Sequence, residues 1–90
     1  MRVLIFKDPG LVKEDIQPML VEDLFQLGQW GTKKRSPFEW MNYLVEEVGE
    51  LAAAISEHVY REGSRKQISE EVIQVATLAL KISKMANDIF

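Results

Sequence analysis

Ninety residues allow one domain, residues 1–90, and a chain this short buries only part of its surface, which favours further burial between copies. With 47% hydrophobic and 28% charged residues the balance is globular rather than disordered. A formal charge of -3 offers no basic field for a nucleic-acid backbone, and no run nears the ~20 apolar residues of a membrane span. The absence of cysteine excludes disulfides, zinc–thiolate sites and thiol chemistry.

Residues 1–14 form an N-terminal arm. Arg2 followed by Val3-Leu4-Ile5-Phe6 has the look of a secretion signal, but four apolar residues are too few for one. The expected location is therefore the cytoplasm. Val3–Phe6 reads either as an edge strand or as a segment laid on a neighbour, and Asp8-Pro9-Gly10 marks a turn. A first helix is predicted from about Ile16 to Leu27, with Pro18 tolerated in its opening turn and Gly28 ending it. Trp30 to Arg35 then form a polar, basic loop.

The second helix has the clearest start. Ser36-Pro37-Phe38-Glu39 supplies a Ser cap, a Pro at the first helical position and a Glu three residues on, the pattern of a capping box. Phe38, Met41, Val45, Val48, Ala52, Ile55 and Val59 follow at steps of three and four and are predicted to line its inner face. Gly63 stops it. Ser64 with Gln67 starts a third helix that reaches about Asn87, with Ile68, Val72, Val75, Ala76, Ala79, Ile82 and Ala86 inward. The expected fold is all-α: an antiparallel hairpin of the second and third helices, with the first helix beside it and oligomerisation completing a bundle.

Two acidic runs fall on that hairpin, Glu46-Glu47-Val48-Gly49-Glu50 and Glu70-Glu71-Val72-Ile73-Gln74. At about 100° per residue, Glu47 and Glu50 lie roughly 60° apart. Glu47 shares its stripe with Trp40, Leu44, Leu51 and Ala54, and Glu71 shares its own with Val75, Leu78, Ile82 and Met85. A carboxylate on an apolar stripe must be paired, metal-bound or neutralised. Converging carboxylates repel unless a positive charge sits between them, and a hard divalent cation prefers such oxygen ligands. Salt bridges to Lys33, Arg35, Arg65 or Lys66 are the alternative. Glu46, Glu57 and Glu70 fall toward the polar arcs.

At these residues the chain resembles the MazG-like all-α nucleoside triphosphate pyrophosphohydrolases. The family pattern, E-x-x-E on one helix and E-x-x-D on the next, is matched by Glu47-x-x-Glu50 and Glu71-x-x-Gln74, within flanking text from about Gln29 to Lys84 that includes Trp30-Gly31 and Phe38-Glu39-Trp40. The resemblance implies a dimer or tetramer of helices that binds Mg²⁺ and splits a nucleoside triphosphate into monophosphate and pyrophosphate. It implies Glu47, Glu50 and Glu71 as metal ligands, with Gln74 in the place of the Asp. A glutamine carbonyl can ligate Mg²⁺, but it brings no charge and cannot act as a base. Glu46 or Glu50 is then expected to orient or deprotonate the attacking water. The family also places an Asn and a Lys on a further helix. Asn87 is the stand-in here, and a partner subunit or the first helix is expected to supply the missing wall.

Among the remaining residues, Trp40 is the better placed of the two tryptophans to stack on a base, and Lys33 and Arg35 precede the second helix where they can reach phosphate. His58, alone, reads as structural. The rival reading, favoured by Gln74, is a non-catalytic module that keeps this scaffold to bind a nucleotide or a protein.

Overall fold

The computed structural model describes residues 5–31 and 33–89, with side chains up to residue 87. The described residues contain only helices, in the order 3₁₀ turn Lys13–Asp15, α1 (Gln17–Trp30), α2 (Pro37–Arg61) and α3 (Arg65–Ile89). No helix among them is long and apolar enough to cross a membrane. The expectation for Val3 and Leu4 lies outside the described residues, while Ile5 and Phe6 are exposed and belong to no helix or strand.

Each helix boundary has a local cause. Pro18 sits in the first turn of α1, where its missing N–H costs nothing. The helix does not stop at Gly28 but runs to Trp30. Gly31 ends it, because only there does the backbone turn left-handed (φ 68°), with the Gly31 N–H donating to the Leu27 carbonyl at 2.8 Å. The capping box of α2 forms as expected: Glu39 N–H donates to Ser36 Oγ and Ser36 N–H donates to Glu39 Oε1, both at 3.2 Å. At its other end the left-handed residue is Glu62 (φ 57°), not Gly63. Gly63 is needed for closeness instead, since a Cβ there would come within 2.9 Å of the Glu57 Cβ. His58 Nδ1 is 2.7 Å from the Gly63 carbonyl, a structural role. Ser64 Oγ accepts from the amides of Lys66 and Gln67 and starts α3.

The third helix packs against both others, with its longest contact along α2. Its fully buried apolar residue is Leu78, and Leu78 with the buried Ala54 of α2 makes up a thin core. The inner face predicted for α2 is corrected. Phe38, Met41, Val45, Val48 and Ile55 are 45–82% exposed and Ala52 is exposed too, so of the predicted face only Val59 is half-buried, whereas Trp40, Tyr43, Leu44, Glu47, Leu51 and Ala54 are half-buried or buried. At about 100° per residue the two apolar arcs of α2 are centred roughly a third of a turn apart, and α3 covers one of them. On α3, Val72, Ala79 and Ala86 are likewise exposed, while Val75, Leu78, Ile82 and Met85 turn inward.

Polar contacts hold α1 to α3. Gln26, 3% exposed, donates from Nε2 to the Gln74 carbonyl at 3.4 Å and accepts from Lys81 Nζ at 2.9 Å. Lys81 also pairs with Asp23 at 2.8 Å.

Candidate functional site

The α2–α3 contact brings Glu47, Glu50 and Glu71 together. Each offers a carboxylate oxygen, and the three oxygens lie within 4.8 Å of one another. Glu47 and Glu71 are half-buried and Glu50 is exposed, so the cluster opens to solvent on one side. This placement follows from the stripes on which the two half-buried acids ride. Residues at spacings of three, four and seven from them pack between the helices and carry the carboxyls inward.

Crowding shows in the proton affinities. Burial, then the charges of Glu50 and Glu71, then a hydrogen bond to Glu50 push the Glu47 carboxyl from 4.5 up to about 7. Glu71 is raised too, first by burial and then by Glu50, with Glu70 adding its charge. The charge of Glu22 on α1 contributes to both shifts, so the first helix supplies a fourth acid to the neighbourhood. Glu22 went unnoticed in the sequence because it stands outside the acidic runs. Its one signal is the i,i+4 spacing to Gln26, whose Nε2 lies 3.5 Å from Glu22 Oε1.

The ion pairs formed among the described residues are Arg61–Glu57, Lys66–Glu70 and Lys81–Asp23, and none involves the cluster. Glu57 and Glu70 are thus exposed partners of neighbouring cations. Glu46 is exposed and lies outside the converging set. Gln74 is inside. With its amide nitrogen toward the acids it donates to Glu47 Oε2 at 2.7 Å and to Glu71 Oε2 at 3.2 Å. Turned by half a rotation, the same amide presents its oxygen to that space.

At the end of α1 and the start of α2, Trp30, Trp40 and Tyr43 form an aromatic group. Trp30 stacks on Tyr43 (5.3 Å, 12°) and meets Trp40 edge-on at 6.5 Å. Arg35 is occupied by this group: its guanidinium lies 5.6 Å from the Trp40 ring centre, and it donates to the Tyr43 hydroxyl and the Trp30 carbonyl, both at 3.2 Å. Lys33 is exposed and lines a cleft of about 200 Å³ with Trp30, Trp40, Lys81 and Met85.

No family model, curated protein or solved structure matches the chain. Its donor set therefore has to speak for itself. Three carboxylates and a reversible amide, all oxygen ligands, fit a hard divalent cation of the Mg²⁺ type and suit thiophilic metals poorly.

Proposed function

We propose that the protein is a Mg²⁺-dependent nucleotide pyrophosphohydrolase of the MazG-like kind, converting a nucleoside triphosphate to its monophosphate and pyrophosphate. In this reading α2 and α3 form an antiparallel hairpin, and two or four copies assemble. The observation that carries it is the convergence of Glu47, Glu50 and Glu71 within 4.8 Å with no cationic side chain among the described residues paired to them. Three negative groups so close stay ionised at neutral pH only beside positive charge.

Glu47, Glu50 and Glu71 would hold the ion, with the Gln74 oxygen turned inward to complete the set. Bound there, Mg²⁺ neutralises phosphate charge. Glu50 is the exposed member and faces the opening, which suits it to orient the attacking water and accept its proton. Glu46, outside the converging oxygens, is the weaker candidate for that role. Trp40, edge-on to its neighbours at the rim of the cleft, offers an apolar surface for a base, and Lys33 a mobile cation for phosphate. Arg35 contributes by holding the aromatic group in place.

One observation favours a second reading. The Gln74 amide satisfies Glu47 and Glu71 without any metal, as expected of a scaffold that binds a nucleotide or protein without turning it over. Incubating purified protein with Mg²⁺ and a panel of canonical and modified nucleoside triphosphates, and assaying pyrophosphate, separates the two. Release that disappears in Glu50→Gln supports the hydrolase. Calorimetric binding of a non-hydrolysable analogue without pyrophosphate release from any substrate supports the binding module.

A further inference from the structure

The first helix meets α3 through its polar residues. Of the apolar side chains in α1, only Met19 and Trp30 are half-buried, while Leu20, Val21, Leu24 and Phe25 are 57–71% exposed. The residues turned toward α3 are Glu22 and Asp23, the two charges of the helix, and Gln26, which is 3% exposed. Apolar side chains in those places would hold α1 harder than a hydrogen-bonded amide does. What a satisfied polar seat provides is one fixed arrangement.

That arrangement is centred on Gln26. Lys81 Nζ donates to Gln26 Oε1 at 2.9 Å and is itself held by Asp23 at 2.8 Å. An ammonium only donates, so the amide oxygen must face it and the amide nitrogen must point the other way. There Nε2 lies 3.4 Å from the Gln74 carbonyl and 3.5 Å from Glu22 Oε1. Both contacts are long, so the close Lys81 bond is what places the amide. Both also lead to the acid cluster. Gln74 is the residue whose side-chain amide reaches Glu47 and Glu71. Glu22 lines the same cleft as Gln74 and adds its charge at both of those acids.

We infer that Gln26 is a positioning residue of the cation site: anchored by Lys81, its amide sets α1 on the turn of α3 that carries Glu71 and Gln74 and turns the Glu22 carboxylate toward the cluster. This rests on the proposed reading of the cluster as a cation site. Gln26 itself touches no ion. Its effect passes through Glu22, whose negative charge favours a cation nearby. The first helix thereby belongs to the site, although it supplies none of the three converging oxygens.

Calorimetry with Mg²⁺ alone, without nucleotide, tests this. Glu22→Gln should bind Mg²⁺ about tenfold more weakly than wild type. Gln26→Met exchanges one neutral, unbranched side chain for another and leaves the charge at the site unchanged. Its expected weakening of about three- to tenfold therefore comes from geometry. The decisive variant is the pair. Added to Glu22→Gln, Gln26→Met should weaken binding by less than about twofold further, while its cost in the urea midpoint stays the same. A merely structural Gln26 would lower the affinity equally in both backgrounds or in neither, and either result overturns the inference. If Gln26→Met fails to fold, Lys81→Met decides. Removing a positive charge tightens Mg²⁺ binding if only the field matters, so weaker binding supports the anchor and tighter or unchanged binding overturns it. Coupling of Gln26 to Glu22 without pyrophosphate release sinks the hydrolase and keeps the inference. Release without that coupling does the reverse, and a wild type that binds no Mg²⁺ overturns both.

Discussion

Replacing Glu47 by Gln removes a carboxyl that burial and the Glu50 and Glu71 charges have raised from 4.5 to about 7. The fold favours the neutral form of such a group. In metal-free protein its contribution is therefore fully present below about pH 4.5 and is lost as the pH rises through about 7. The full shift corresponds to a ceiling of about 3.4 kcal/mol at about 1.4 kcal/mol per pKa unit. Water around a half-buried carboxyl screens it, leaving about 1–2 kcal/mol. In a chain of this size that is a fall in Tm of about 5–10 °C between about pH 5 and pH 8. Thermal melts in chelator should show this fall in the wild type. Glu47→Gln should melt higher than wild type at pH 8 by about the same margin, with a residual slope from Glu71. Excess Mg²⁺ should restore wild-type stability at pH 8 and leave Glu47→Gln nearly unmoved. A wild-type Tm that holds or climbs over this range in chelator, or a variant that falls as steeply, would refute the account of the cluster as repulsive.

Gln74→Asp exchanges an amide that donates to two carboxylates for a further negative charge. Its Tm in chelator should drop by about 5–10 °C while calorimetry shows Mg²⁺ affinity rising about tenfold or more. Glu62→Gly relieves a left-handed backbone in a residue with a side chain and should gain about 0.5–1 kcal/mol, read from the urea midpoint. Lys81→Met keeps the apolar stem but strips Asp23 and the buried Gln26 oxygen of their donor, costing about 1–2 kcal/mol in the same measurement.

The helices were legible where the chain carries its own punctuation. Ser36-Pro37-Phe38-Glu39 and Ser64 define starts through hydrogen bonds made within four residues, so nothing distant can override them. Gly28 misled because a glycine ends a helix only when the backbone there turns left-handed, and that happens at Gly31. The acid cluster was legible for Glu47 and Glu71 because each interrupts an apolar stripe. Glu22 leaves only its i,i+4 spacing to Gln26, while Gln26 meets Gln74 and Lys81 across 48 and 55 residues of chain and leaves no local pattern for either contact. The stripe from Phe38 to Ile55 is legible in the sequence, but the side it faces is not. Periodicity marks a face as apolar without saying what covers it, and α2 offers two such faces to a single neighbour.

A core whose centre is Ala54 and Leu78 also sets the reaction order of folding. If most apolar contact forms between copies, native structure and association become one equilibrium in which dilution acts as a denaturant. Tm should then climb with chain concentration, and a helix lost at nanomolar levels should return on concentrating the sample, with no change of solvent.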